Sequence, residues 1–518
     1  MKIKYDEMLT TCANWVIRFV GGAIFLVLTR YAFRFTQYMI PMTGYEYPVD
    51  MGDSELWNLV GLLVFGGAAV LLKTLDRRLS EHAKIWIERS VLGIIMIWQG
   101  IWGFLWVASA DRWPTGDQGS IYYSALGFLQ GEYGALQSGS YCGLFPHQLG
   151  LAALEEGLFR LTGMTDYHLL QYIFVGMTVL QTVFLYSMLR EMTRDFTWIV
   201  LGTVLEGLSM APVFYSSWIY GETPYVFFAM LAAWMLAAYA KKGQTRYLIC
   251  FVAAVTMAML VRENALILIT AFALVAVVRG IVKKDLRLLI AIACAFLLPV
   301  LCYQGIFGMY ERRSGIAHSD GMPSNDYVYI GLMETEGRYG WDYYPSTQVY
   351  YDNDTDSERT KAAVDELLAI RWSEMTAERG YLFRFFKGKV LSQWNAPLYQ
   401  SLYFTFAHED VHLERAAEFL DSLSTDRFFR VLWLADRIQF VLYLGMLCYF
   451  VFAVRKDSDT LDHLLAVTII GGFLFSVIWE AKTRYIFPYY MMMFPTAVVG
   501  YAEMAKWAAQ RMRNTKGK

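Results

Sequence analysis

Several charged residues interrupt or close long apolar runs. Asp111 ends one in ADRWPTGDQGSIYYSA, with Asp117 in the same stretch. Glu222 stands in WIYGETPYV, Arg262 and Glu263 in MLVRENALILI, and Glu480, Lys482 and Arg484 in WEAKTRYIFPYY. A carboxylate at such a boundary can take a proton from a hydroxyl as a general base. Arginine presents a rigid fork of donors that matches phosphate oxygens. Each residue also has an ordinary reading. Asp111 is a polar end to a helix, Asp117 caps a helix starting near Ser120, and Glu222 is a favourable helix N-terminal charge. Arg262 and Glu263 form a hairpin, and Arg484 with Tyr485 anchors an interface. His147, in LFPHQLG, is a candidate ligand or base, although a lone turn histidine is more often neither. No His/Cys/Asp/Glu group has zinc spacing, and no P-loop or dinucleotide glycine fingerprint occurs.

The elements that must position these residues are helices in a bilayer. Only 18% of the 518 residues are charged and 56% are hydrophobic, against roughly 25% charged in a soluble domain. Twelve apolar runs approach the length that crosses a bilayer: 14–33, 56–73, 90–110, 168–189, 197–213, 224–240, 247–261, 264–279, 288–307, 431–454, 464–479 and 486–503. Backbone polar groups in hydrocarbon must be satisfied within the segment, so the runs are predicted helices. The fold class is an all-α polytopic membrane protein of about 12 transmembrane helices with extracytoplasmic surface helices.

Charge distribution gives the direction. The short segments 1–13, 76–89, 190–196, 241–246, 279–287, 455–463 and 504–518 hold 22 Lys and Arg; 34–55, 111–167, 214–223, 262–263 and 480–485 hold 6. The positive-inside rule places the first set, with both termini, in the cytoplasm. An even number of spans agrees. The first run carries Arg18, lacks a clear cleavage site and reads as a true span, not a signal peptide. Six cysteines, mostly in or beside spans, read as packing residues. A net charge of −2 gives no reason to expect a nucleic-acid partner.

Two outer segments exceed connectors. Segment 111–167 contains predicted surface helices at Ile121–Leu129 and Gln148–Leu161. Segment 308–430 has an irregular start, 308–357, expected to hang over the site and help choose the acceptor, then amphipathic helices Glu358–Met375 and Tyr381–Trp394. The second, YLFRFFKGKVLSQW, sets Arg384, Lys387 and Lys389 among aromatic residues, suiting an interfacial helix near anionic headgroups. The expected organisation is an N-terminal two-span extension (1–89), a membrane core (90–307), an outer loop domain (308–430) and C-terminal spans with a cytoplasmic tail (431–518).

Asp111, Asp117, Glu222, Arg262 and Arg484 then share one membrane face. Acids and arginines there suit a single chemistry, in which an acceptor hydroxyl is activated while a departing lipid phosphate is neutralised. The stretch from D-RWPTGDQ-SIYYSA through Tyr141 to FPHQLG, the YGETP turn and the WEAKTRYIFP ending resemble the GT-C superfamily of polyprenyl-phosphate-sugar-dependent glycosyltransferases. The nearest branch is the bacterial relatives of protein O-mannosyltransferases and of the lipid A aminoarabinose transferase. The resemblance spans 90–503. It implies an inverting transfer from a polyprenyl-phosphate-linked sugar to a glycan, lipid or protein acceptor, at the outer face of a bacterial plasma membrane. Asp111 is the implied base, with Asp117 competing. Glu222 is the second acid, which assists or binds a divalent cation in some members; no other cofactor is implied. Arg262 and Arg484, with Lys387 and Lys389 behind them, are the implied phosphate ligands, and Tyr141, His147 and Glu480 are candidates for acceptor or sugar binding. The chain departs from the pattern in two ways: two extra spans precede the base, and Arg112 replaces the second of the paired acids.

Two other classes compete. A lipid-linked sugar flippase or transporter fits twelve spans, but paired half-repeats are not evident and charges deep in spans are scarce. A polysaccharide polymerase or ligase would use a polyprenyl-diphosphate donor.

Overall fold

The computed structural model describes residues 2–40, 46, 48–110, 113–335, 337–341, 343–406, 422–423 and 425–516; Asp111, Arg112 and Glu336 lie outside them. All twelve apolar runs fall on helices. The chain opens with α1 (Lys2–Ala32), the hairpin β1 (Phe35–Met39) and β2 (Pro48–Gly52), α2 (Glu55–Asp76) and α3 (Glu81–Ser109). Among the described residues nine helices are long and apolar enough to cross a membrane, and a bent pair makes ten. This is an all-α polytopic membrane protein, and its only sheets there are two antiparallel two-stranded hairpins.

The first large loop folds as α4 (Gly116–Gln130), α5 (Tyr141–Leu144) and α6 (Leu149–Thr162). The two helices predicted there exist. Ile121, Ala125, Ala152 and Phe159 are buried in protein, because the loop is long enough to pack α4 on α6. Next come α7 (Tyr167–Met192), α8 (Phe196–Gly207) and α9 (Ala211–Phe214). The 197–213 run, predicted as one span, is bent by 42° between α8 and α9. Pro212 in the first turn of α9 has no N–H to continue the ladder. The bend carries residues 215–221 back towards the site.

The core continues with α10 (Glu222–Lys242), α11 (Thr245–Val261), α12 (Ala265–Lys283) and α13 (Leu286–Ser314). The segment after α13 then forms α14 (Ser324–Leu332), β3 (Glu334–Thr335), β4 (Arg338–Tyr339), α15 (Tyr343–Asp352), α16 (Ser357–Ala377), α17 (Tyr381–Trp394) and α18 (Ser401–Phe406). The chain closes with α19 (Asp426–Cys448), α20 (Leu464–Ile478) and α21 (Phe487–Lys516).

The most apolar stretch of α10 is 72% buried and that of α2 only 6%, so α10 is central and α2 faces outward. In lipid, helices associate through close packing and polar contacts more than through exclusion of water. At the crossing of α19 and α21 a Cβ on Gly500 would lie 2.1 Å from the Gly445 carbonyl oxygen. Between α3, α7 and α8, Gln99 donates to Glu206 at 2.9 Å and Thr182 bonds both.

The ion pairs separate the two loop sets. Lys73–Asp195, Lys242–Glu191 and Arg279–Asp459 join loops or helix ends of the Lys/Arg-rich set. Arg484–Asp117, Arg262–Glu222 and Lys482–Glu46 join loops of the other.

Candidate active site

At that second end lies a cavity of about 600 Å³ walled by six separate stretches of chain. Its lining includes Asp117 of α4, Tyr141 of α5, His147, Trp218 and Tyr220 of the turn after α9, Tyr327 of α14, Trp341, Tyr403 and Phe404 of α18, Glu480, Lys482, Arg484 and Tyr485. Glu46, beside the first hairpin, also reaches it.

The floor is a buried array of alternating charge. Arg484 Nη2 donates to Asp117 Oδ2 at 2.8 Å, and its Nε lies 3.9 Å from Glu222 Oε1. Arg262 Nη1 is 2.8 Å from the same Glu222 oxygen, and Trp218 Nε1 donates to Glu222 Oε2 at 3.1 Å. Both guanidinium groups rest on the rings of Tyr220 and Tyr485, at 5.2–5.5 Å, a favourable cation–π arrangement.

Local backbone explains the alignment. Gly221 sits where a Cβ would be 2.7 Å from the Val261 carbonyl oxygen, so glycine lets the start of α10 press against the end of α11 and brings Glu222 to Arg262. Gln118 of α4 accepts the Ile219 N–H at 2.9 Å, and Gln181 of α7 donates to the Thr223 carbonyl at 3.0 Å. Tyr399 and Gln400 both take positive φ, 50° and 62°, a costly conformation for side chains of this type that is held by its surroundings. The turn presents Gln400 Oε1 to the Arg484 N–H at 3.0 Å.

The predicted residues meet here unequally. Asp117, Tyr141, His147, Glu480 and Arg484 line the cavity. Asp111 lies outside the described residues. Asp117 does not cap a helix near Ser120: α4 starts at Gly116, and the carboxylate turns to Arg484. Burial acts to raise its pKa, but Arg484, Lys482 and Arg262 outweigh burial and hold it below the usual value. Glu222 is fully buried behind the lining, a counter-charge between two arginines. Arg262 stands in the same back layer, 8% exposed.

His147 Nδ1 is 3.6 Å from Glu263 Oε2. Burial, opposed by Glu263 and reinforced by Arg262, lowers its pKa and keeps the ring neutral. Tyr141 and Tyr220 hydroxyls are 3.2 Å apart, and burial followed by the charge of Asp117 raises the Tyr141 pKa.

The two lysines do not join the lining. Lys387 is exposed on α17, its ammonium 5.6 Å from the Tyr31 ring centroid near the end of α1. Lys389, two residues on, is fully buried and donates to the Gly331 carbonyl at the end of α14. Burial, against a weaker pull from Glu480, drives its pKa down to about 7. Amphipathic spacing placed both on an interfacial helix; it could not say that 308–341 folds back over α17.

The stretch 308–357 does overhang the cavity, through Met322, Tyr327, Ile330 and Trp341. Sequence reasoning missed this aromatic wall and missed Glu46 and Gln400. Tyr220 and Tyr485 stood inside the motifs around Glu222 and Arg484 and were the available signal.

Among the described residues no three His, Cys, Asp or Glu side chains gather to hold a metal ion. The described lining carboxylates Asp117, Glu46 and Glu480 each face a cation. What the array offers is fixed positive charge at the base of an aromatic-walled chamber, next to a carboxylate and a neutral imidazole.

Residues 150–303 match the family model described as dolichyl-phosphate-mannose-protein mannosyltransferase. No curated protein sequence matches the chain. A solved structure of the archaeal oligosaccharyltransferase AglB from Archaeoglobus fulgidus, in complex with an inhibitory peptide and a dolichol-phosphate, aligns with 16% identity and a TM-score of 0.43. The alignment covers 84% of this chain and 52% of that one, so the chain spans about half the length of that structure. Within the bundle of membrane-spanning helices, residues 150–303 are thus similar to the dolichyl-phosphate-mannose-protein mannosyltransferase family.

Proposed function

We propose that the chain transfers a sugar from a polyprenyl-phosphate donor to an acceptor hydroxyl, with inversion, at the extracytoplasmic face of the membrane. The observation that carries this reading is the Asp117–Arg484–Glu222–Arg262 array under the cavity. Buried arginines fixed by carboxylates and aromatic rings need no reorganisation to receive a developing phosphate charge, which is where preorganised electrostatics lower a barrier most.

In the step we propose, the acceptor hydroxyl gives its proton to a carboxylate. Its oxygen attacks the anomeric carbon opposite the phosphate. The carbon–oxygen bond to phosphate breaks, and polyprenyl phosphate leaves with the bonding pair, its charge met by Arg484. We assign the base to Asp111, on the family resemblance. Asp117 is the weaker candidate because Arg484 engages it and lowers its proton affinity; its part is to orient Arg484. The sidedness rests on the Lys/Arg-rich loops being cytoplasmic.

The test supplies purified protein in lipid nanodiscs with sugars on polyprenyl monophosphate or polyprenyl diphosphate. Transfer from the monophosphate, with donor binding kept but transfer lost in Asp111→Asn, is the expected result. Use of the diphosphate alone, movement of lipid-linked sugar without covalent transfer, or full activity of the Asp111 variant would overturn the reading.

A further inference from the structure

We infer that the part of the cavity between Glu46, Glu480 and Lys482 is a subsite for a neutral, hydroxyl-rich glycan acceptor, and that the N-terminal hairpin supplies its selectivity. This rests on the transferase reading above.

The geometry leaves a gap of a particular kind. Lys482 Nζ lies 3.7 Å from Glu46 Oε2 and 3.7 Å from Glu480 Oε1. These are ion-pair contacts, but both exceed hydrogen-bond length. All three side chains are largely buried, at 12%, 13% and 8% exposure for Lys482, Glu46 and Glu480. Polar groups held at such a separation suit a bridging oxygen. A hydroxyl can accept from the ammonium while donating to a carboxylate. A phosphate or uronate oxygen accepts but cannot donate, and it would meet two carboxylates against one ammonium. Tyr327 and Tyr403 wall the same cavity and give ring surface to the apolar faces of a sugar.

Glu46 comes from an element that the family match does not reach. The hairpin β1–β2 is docked on the segment after α17: Gln37 N donates to the Asn395 carbonyl at 2.9 Å, and Asn395 Nδ2 donates to the Phe35 carbonyl at 2.6 Å. Gln400, which holds the Arg484 N–H, contacts Met39 Sδ at 3.1 Å. The hairpin thus touches both ends of the site, with Glu46 at one and Gln400 behind Arg484 at the other.

The experiment measures equilibrium binding to the full chain in nanodiscs by saturation-transfer NMR. The probes are mannotriose and maltotriose as neutral glycans, a uronate-terminated trisaccharide as the anionic one, and a serine-rich hexapeptide. At least one neutral trisaccharide should bind, tenfold or more tighter than the uronate and the peptide. Glu46→Gln and Glu480→Gln should each weaken neutral binding at least tenfold and narrow the gap to the uronate, in protein whose unfolding midpoint matches wild type. Equal or tighter binding of the uronate or peptide, no binding of either neutral probe, or wild-type selectivity in the folded variants overturns the subsite. Failure of the transferase reading shows separately: a chain that binds neutral glycan selectively yet consumes no lipid-linked donor keeps the subsite and loses that reading.

Discussion

Removing the charge of Glu222 should destabilise the protein, and removing that of Arg262 as well should restore much of the loss. Glu222 is fully buried, with Arg262 2.8 Å away on one side and Arg484 3.9 Å away on the other. Unit charges about 4 Å apart interact by about 4 kcal/mol at an effective dielectric of about 20. Arg484 keeps Asp117 as a partner when Glu222 is neutralised. Among the described residues Arg262 keeps the faces of Tyr220 and Tyr485, worth about 0.5–2 kcal/mol. Glu222→Gln should therefore fall in the range of about 3–5 kcal/mol typical of a broken buried pair. Arg262→Met should cost a similar amount, because among the described residues it leaves Glu222 charged with the distant Arg484 Nε and the Trp218 N–H. The double variant carries neither orphan.

The assay is a double-mutant cycle read in thermal unfolding midpoints by tryptophan emission in detergent micelles. Only the ranking of midpoints is needed, so irreversible unfolding does not spoil it. The double variant should melt above both single variants. Strict additivity, with the double variant below either single one, would refute the view that Glu222 is the counter-charge of this array.

The remaining predictions use pH and backbone. Asp117 has a folded pKa below its ordinary 3.8. Its contribution to stability is complete above that value and lost as pH falls through the lower folded one. Wild type and Asp117→Asn should thus differ by a constant unfolding midpoint from about pH 5 to 8 and converge below about pH 4; a gap that closes near neutral pH would contradict the ion pair. Lys389 has a folded pKa of about 7 against an ordinary 10.5, so the folded state binds fewer protons between these values and stability rises with pH across that window. Relative to Lys389→Met, wild type should gain stability from about pH 7 to 10, measured by unfolding midpoints; parallel curves would place the amine in water. Gly340 has φ 77°, and a Cβ there would lie 2.7 Å from Lys389 Cε. Gly340→Ala should cost about 1–2 kcal/mol for the left-handed backbone alone and lower transfer by displacing Trp341; unchanged stability and turnover would separate the β3–β4 hairpin from the site.

What was legible in the sequence depended on range. Apolar run length found every helix of the membrane bundle, because a spanning helix satisfies its backbone within itself and is written in one contiguous stretch. Lys/Arg counting sorted the loops into two ends, and Asp117, Glu222, Arg262 and Arg484 then met in one array. Their division of labour was not legible. Glu222 and Asp117 are both acids beside helix starts, and only the distances to Arg262 and Arg484 separate a buried counter-charge from a carboxylate that faces the cavity. The same limit hid Lys389: the amphipathic pattern groups it with Lys387, yet one is exposed and the other lies under Gly331 and Gly340. Glu46 was the least visible, since its partner Lys482 lies more than four hundred residues away in the chain. These omissions share a cause. Each missed residue draws its role from a partner on a loop distant in sequence, whereas the membrane fixes each span locally. In a protein of this kind the scaffold is therefore readable one segment at a time, while chemical specificity arises where the loops of one end converge. The hairpin that carries Glu46 is a loop of that sort, which is why selectivity for the proposed acceptor should vary with the N-terminal spans while the arginine floor stays with the core.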